Sequence, residues 1–471
     1  MTQDALNTTV IRRILDEDMT YGHTKRDAAE RVIVEFVSTN PNGPITVTGG
    51  RNAAVGDTLA SVLQASGSTV TREYYINDAL NSTQMANFGR SVFHAYRKLL
   101  GHAAGALESF SDDPDWLYSG DYVTAIARKI ADERGAEFEG AAADDPQTVQ
   151  AFREMAQQGM LAQQQADLAA LGVHFDNWFS EDSLHGDGRV RSAIETLTER
   201  GYTYVKDGAV WFQSTRFGDD KDRVLVRANG TFTYIAGDAA YHKDKFDRGF
   251  DRAVDVWGAD HAGYIARTKA VIRAFGYDPA RLDILLYQPA RIIRYGEFVK
   301  TGSRRGDVLE LKADLIDEIG RDAARFFYLL QPPSQELSID LDLAARKDRS
   351  NPLFAVQNAH ARIASALARA GFGSGGGAEL SSSVPSGEPE LRLIRKLAAF
   401  PDEVGLAARE LAPNRIAHYA LAVSTLFYEI EYDENDPAAG AEPGRAALLA
   451  ATLVTLRNAL ALLGVDAPTN L

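Results

Sequence analysis

Cysteine is absent from this 471-residue chain. Disulfides, thiolate zinc sites and thioester intermediates are therefore excluded. Histidine is scarce, at nine residues, and no pair falls in a ligand spacing such as HxxxH, so no bound metal is expected. Basic residues are outnumbered: 50 Lys and Arg face 65 Asp and Glu, a formal charge of −15. An acidic chain repels a phosphate backbone on average, and RNA binding would need a local basic face. No apolar run reads as a membrane span. The opening stretch MTQDALNTTVIRRILDEDM is polar and carries acids, unlike a signal peptide. The expected location is the cytoplasm, with no membrane partner.

What is present is an ordinary globular composition, 45% hydrophobic and 24% charged, with length for about two to four domains. One low-complexity stretch, GFGSGGGAELSSSVPSGEP from Gly371 to Pro389, reads as a flexible linker. RVIVEFV (31–37) is a short, apolar, β-branched run that predicts a buried strand. The turn cluster NPNGP follows, then a helical pattern over 51–65 and a second strand, TVTREYYI. Strand, glycine-rich turn, helix, strand is a βαβ unit and implies a parallel sheet. The turn at Gly49–Gly50 is expected to offer helix amides to an anion. Residues 90–200 read as helical. Residues 202–234 read as hairpins, with Asp207-Gly208 and Asn229-Gly230 at tight turns. AVDVWGADH (253–261) and LDILLYQ (282–288) read as strands, and nearly everything from Asp307 onward as helix. Open parallel sheets bind ligands beyond the carboxyl ends of their strands at a switch point. The ends of RVIVEFV and VDVWGAD are such places.

Ordered segments then carry a resemblance. VEFVSTNPNGP, REYYINDALN, GDDKDRVLVRANGTFTYIAGDAAYHKDKF, VWGADHAGY, GRDAARFFYL, NPLFAVQNAHARI and LRNALALLGV, in this order, resemble bacterial arginyl-tRNA synthetases from Arg31 to the last residue. The resemblance implies an α/β fold: a class I Rossmann-type parallel sheet, a helical insertion, and an all-α anticodon-binding-like domain. It implies arginine, ATP and arginine tRNA as ancestral ligands. Tyr234 and Asp238, in TYIAGD, match positions that face the guanidinium. A carboxylate meets a guanidinium through paired, charge-assisted hydrogen bonds, which lysine cannot copy. Ser38 and Asn40, in VSTNP, match positions that hold the amino-acid backbone, and Glu35 matches an acidic position beside them. A lone acid is more often a helix cap. Five residues kept together make L-arginine, or a guanidino analogue, the expected ligand.

The same resemblance exposes departures. The first ATP signature, of His-x-Gly-His type, aligns with Thr46-Val47-Thr48-Gly49, followed by Gly50, and both histidines are gone. The second, of Lys-Met-Ser-Lys type, aligns with the loop beginning at Lys300. Ser303 stands at the second lysine position, and Arg304 or Arg305 is the nearest cation. Removing one preorganised transition-state donor typically costs about 2.7–4 kcal/mol, or roughly 10²–10³ in rate. No cofactor is assigned beyond ATP, which has only this degenerate pair of signatures to bind it. His261, in GADHAGY, either assists a substrate phosphate or is an ordinary strand-end residue. The family's N-terminal domain, which contacts the outer corner of the tRNA, has no counterpart before the first strand. The segment from Glu431 to Asp436 is acidic and reads as a solvated loop. Binding to tRNA is expected to be weak or absent.

These features make a repurposed paralogue the leading expectation, binding arginine but impaired in its activation. The alternatives are a non-catalytic arginine sensor with a protein partner, and a working arginine–tRNA ligase with altered signatures. The expected domains are a short N-terminal extension (1–30), the first Rossmann half (31–100), a connective insertion (101–224) and the second Rossmann half (225–300). A signature-loop and stem-contact region (301–344) and the helical domain (345–471) complete the plan.

Overall fold

The computed structural model describes residues 3–24, 29–78, 83–101, 118–142, 145–299, 308–371, 387–430 and 443–471. Among them are eleven strands. Five form the central sheet: β1 (Arg31–Glu35), β2 (Thr69–Ile76), β3 (Asn177–Ser180), β7 (Arg252–Gly258) and β8 (Leu282–Tyr287), in the order β3-β2-β1-β7-β8. Every pairing is parallel. Both faces of β1 are covered, which is why RVIVEFV reads as a continuous apolar run rather than an alternating one. The chain leaves β1 for β2 on one side and later places β7 on the other. The switch point therefore lies at the carboxyl ends of β1 and β7.

A three-stranded antiparallel sheet joins β4 (Thr203–Lys206), β5 (Ala209–Phe212) and β6 (Arg223–Val226). Its first turn is the Asp207-Gly208 pair. Both residues have positive φ, 53° and 76°, as a type I′ turn demands. A second small sheet joins β9 (Ala290–Arg294), β10 (Glu297–Phe298) and β11 (Leu337–Asp340), with β11 parallel to β9. Strand β11 lies in the stretch expected to be helical. Its alternating burial, Leu337 and Ile339 inward, is a period-2 signal too short to stand out among helices.

The described helices of eight residues or more are α1 (Gln3–Glu17), α2 (Val47–Ala65), α3 (Thr83–Leu99), α4 (Asp121–Arg134), α5 (Pro146–Ala170), α6 (Arg189–Glu199), α7 (Tyr234–Asp247) and α8 (Ile265–Ala274). They continue with α9 (Arg321–Tyr328), α10 (Pro352–Arg369), α11 (Glu388–Ala398), α12 (Phe400–Arg409), α13 (Asn414–Glu429) and α14 (Pro443–Leu463). Helix α2 is buried almost all round because the sheet packs on one side and α9, α12 and α14 on the other. Small residues permit that approach. A Cβ on Gly56 would stand 2.2 Å from Cγ of Phe36, and one on Gly50 would stand 2.4 Å from Cδ1 of Leu311.

Three boundaries differ from the sequence reading. The insertion is not one helical block over 101–224. Helices α3, α4 and α5 share a separate core of Met85, Phe88, Val92, Ile126, Phe152 and Met160, so it begins before residue 101, and residues 177–180 return to the central sheet as β3. The segment 1–30 is no loose extension. Ile11 and Ile14 of α1 are fully buried, Tyr21 donates to the carbonyl of Leu397 at 2.7 Å, and Asn458 donates to the carbonyls of Asp18 and Tyr21. Helix α14 is long and apolar enough to cross a membrane, which the sequence reading missed, yet 78% of its apolar window is buried in the helical domain. The residues 372–386 of the glycine-rich linker lie outside the described residues.

Candidate active site

A cavity of about 1010 Å³ opens at the switch point, lined on one wall by Glu35, Ser38, Tyr234 and Asp238, with Arg267 beside Asp238, and elsewhere by Thr48 and His261. Helix α7 supplies the first wall. Its start is tied to the antiparallel sheet by Thr233, whose hydroxyl donates to the carbonyl of Val224 at 2.6 Å. Tyr234 and Asp238 are four residues apart, one turn of the same face. Tyr234 is exposed at the mouth, and Asp238 lies deeper. Among the described residues nothing donates to the Asp238 carboxylate and no cation pairs with it. Burial pushes its pKa up, against the pull of His242, Arg267, His261 and Lys245. An uncompensated, half-buried carboxylate is costly to the free protein and is relieved by a cationic ligand.

The next turns of α7 hold a buried charge network. Lys245 is fully buried and pairs with Glu35 at 2.6 Å and Asp255 at 2.7 Å, its ammonium over the Tyr241 ring. His242 faces an acceptor with each ring nitrogen: the Asp238 carbonyl at 2.8 Å and the Asp255 carboxylate at 2.9 Å. Burial opposes ionisation of Asp255, but Lys245 and His242 outweigh it and hold its pKa down. Glu35 is raised by burial, with Lys245 opposing. Glu35 is thus committed to Lys245 and to the hydroxyl of Ser38, which donates to it at 2.9 Å. Ser38 sits in a strained turn, where Val37 has φ 70° and Ser38 φ 45°. Asn52 of α2 braces that turn. It accepts from the amide of Val37 at 3.0 Å and donates to the carbonyl of Val256, joining the ends of β1 and β7.

Asn40 departs from expectation. It lines a smaller adjoining cavity of about 300 Å³ with Asn42, Asn77 and Gln84, sharing only Tyr234 with the larger one. Asn77 donates to its side-chain oxygen at 2.9 Å. The turn from β1 swings Asn40 past Ser38, so the pair does not face one space.

The anion cradle expected at the start of α2 is closed on itself. Thr46 is the N-cap and accepts from the amide of Gly49 at 3.0 Å, while the amide of Gly50 donates to the Thr46 carbonyl and that of Val47 to the Leu309 carbonyl. Gly50 is packed under Leu311 and Tyr328. Only Thr48 of this turn reaches the cavity, and its hydroxyl donates to the carbonyl of Ala290 at 3.2 Å. A capped turn has fewer amides to give a ligand. Lys300, Ser303 and Arg304 lie outside the described residues. His261 lies at the cavity rim, half exposed, 3.5 Å from Asp260 and beside the ring of Tyr264.

Sequence reasoning passed over His242, Lys245, Asp255, Arg51 and Arg267. A signal existed for two of them: Asp238, His242 and Lys245 recur at i, i+4 and i+7 within GDAAYHKDK, one face of a helix. Arg51 is fully buried and spends its guanidinium on the carbonyls of Gln288 and Gln335, both at 2.7 Å, and of Pro332 at 3.0 Å. Burial lowers its pKa to about 10. The cation is bound to the chain itself and is not a ligand for anything in the cavity.

The family described as tRNA synthetases class I (R), catalytic domain, matches residues 10–327, and the DALR anticodon binding domain matches residues 356–471. Arginine–tRNA ligases of Anoxybacillus flavithermus and Bacillus subtilis are each 41% identical over 98% of this chain and 82% of their own length. A solved structure titled as a putative arginyl-tRNA synthetase from Campylobacter jejuni superposes with a TM-score of 0.87 at 27% identity, covering all of both chains. The arginyl-tRNA synthetase of Thermus thermophilus shares the fold, with a TM-score of 0.75 at 20% identity over 99% of this chain and 86% of its own. The match of 356–471 to an anticodon-binding domain leaves the expectation of weak or absent tRNA binding without support. The chain belongs to the arginyl-tRNA synthetase family.

Proposed function

We propose that the chain is an arginine–tRNA ligase. The observation that carries this reading is Asp238: a carboxylate with no partner among the described residues, facing a cavity at the switch point beside Tyr234 and Ser38. A guanidinium completes it through a two-pronged ion pair. The near-full-length likeness to arginine–tRNA ligases supports the rest. The arginine carboxylate would attack the α-phosphorus of ATP, expelling pyrophosphate. A tRNA ribose hydroxyl would then take the arginyl group and release AMP. ATP fits only in part. The cavity has room beyond arginine, with Thr48 and His261 on its lining, but the amides of Val47, Gly49 and Gly50 are already used. A ligase of this kind would work in the cytoplasm, where its tRNA is.

The test is arginine-dependent exchange of pyrophosphate into ATP with tRNA present, together with attachment of labelled arginine to tRNA. Both should occur, and both should vanish in Asp238→Ala. Intact arginine binding without either reaction would overturn the ligase reading. That result would favour a second one, which the closed first turn of α2 specifically supports: an arginine-binding paralogue, slow in activation, used outside translation as an enzyme or as a sensor with a protein partner.

A further inference from the structure

Arg325 of α9 is fully buried, and its guanidinium joins three parts of the molecule. One nitrogen pairs with Asp57 of α2 at 2.6 Å. Another donates at 2.7 Å to the carbonyl of Leu463, the last residue of α14. The third donates at 3.2 Å to the carbonyl of Leu171, just past α5. Two helices thus end on one cation, where unsatisfied carbonyls and the negative ends of the helix dipoles favour positive charge. The fit is close, since a Cβ on Gly464 would stand 2.4 Å from the guanidinium carbon.

The same helix holds both sides of this junction. Toward the helical domain, the carboxylate of Asp322 accepts from the amide of Asp466 at 3.1 Å and from the side chain of Gln357 of α10 at 3.1 Å. Toward the catalytic sheet, Tyr328 donates to the carbonyl of Val47 at 2.6 Å and covers Gly50. Val47 and Gly50 flank Thr48, the residue of that turn on the cavity wall. A short helix with three polar grips, one on α14, one on the middle of α2 and one on its first turn, cannot shift at one end without loading the other.

We propose that Arg325 is a positioning residue, and α9 a rigid joint, through which the ends of α5 and α14 set the order of the first turn of α2. Anything seated on the helical domain or the insertion then reaches the Thr48 wall through this joint, whatever the cavity binds. Arg325 touches no ligand itself.

Amide hydrogen exchange in residues 46–51 of the full chain reads this directly. Asp322→Asn loosens the helical-domain side, and Arg325→Lys keeps the charge but loses the fork. Each should speed exchange there by about tenfold, as local opening becomes easier. The double variant should be no faster than the faster single one, because both act through one joint. Tyr419→Phe, which removes a hydroxyl bond to Lys396 within the helical domain, should leave residues 46–51 unchanged. Should Arg325→Lys fail to fold, Asp57→Asn takes its place. Multiplicative single effects, no effect of Asp322→Asn, or an equal effect of Tyr419→Phe would each overturn the proposal. None of these outcomes depends on ligase activity.

Discussion

The two walls of the cavity are built on opposite plans. On the α7 wall Asp238 has no partner among the described residues, while the groups next along the helix are satisfied: Lys245 by Glu35 and Asp255, His242 by Asp255 and a carbonyl. On the α2 wall the amides of Val47, Gly49 and Gly50 and the hydroxyls of Thr46 and Thr48 answer one another or neighbouring backbone. One wall is finished by a ligand, and the other is finished already. A buried network that is complete except for one charge selects for the charge it lacks, while a capped helix start has little to offer a phosphate.

The sharpest way to break this contrast is to unsettle the finished part of the first wall. Lys245→Met leaves Glu35 and Asp255 buried without their cation and should destabilise the fold by about 3–5 kcal/mol, read as a lower denaturation midpoint. An unchanged midpoint would mean the network is not what holds α7 to β1 and β7. Next is Asp238→Ala, which should weaken L-arginine binding by about 2–5 kcal/mol in titration calorimetry. Affinity in the wild type should also fall with acid. The Asp238 pKa is raised by burial, so its proton must be displaced before a guanidinium can pair, and the loss should begin above the usual carboxylate range. A pH-independent affinity would assign the guanidinium elsewhere.

Thr46→Ala should cost about 1 kcal/mol by removing the cap of α2, seen as a lower melting temperature. It frees the Gly49 amide, so phosphate or pyrophosphate affinity should rise rather than fall. A fall would show that Thr46 itself contacts the phosphate. The smallest effect has the opposite sign to most substitutions. A carboxyl with a raised folded-state pKa holds its proton more tightly folded than unfolded. Ionised Asp238 therefore subtracts from stability at neutral pH, a penalty that fades as pH falls. Asp238→Asn should accordingly melt slightly higher than wild type without arginine, by less than about 1 kcal/mol, and lower with it.

The sheet was legible because burial on both faces forces a run such as RVIVEFV, which leaves few alternatives. Asp238, Tyr234 and Ser38 were legible through their segments, and they do share one space. Asn40 was not, because two residues with positive φ after β1 re-aim the chain, and backbone direction is not written in residue type. The closed anion cradle was missed for a related reason. A threonine before a helix reads equally as a lost ligand and as a cap, and only the 3.0 Å bond to Gly49 decides it. The helical spacing that marks Lys245 does not name its partners, and Asp255 was invisible because its own, His242 and Lys245, come from a separate helix.

Helix α1 carries a consequence for how the molecule is assembled. Asp18 and Asn458 meet although they are 440 residues apart, and Ile11 and Ile14 belong to the same apolar cluster as α14. Helix α1 therefore leaves the ribosome well before the helix that covers its apolar face. Such a long closure is slow and leaves an adhesive surface open meanwhile. A fragment cut at residue 345 would carry an empty groove along α14, and a peptide of residues 3–24 added in trans is the natural thing to fill it.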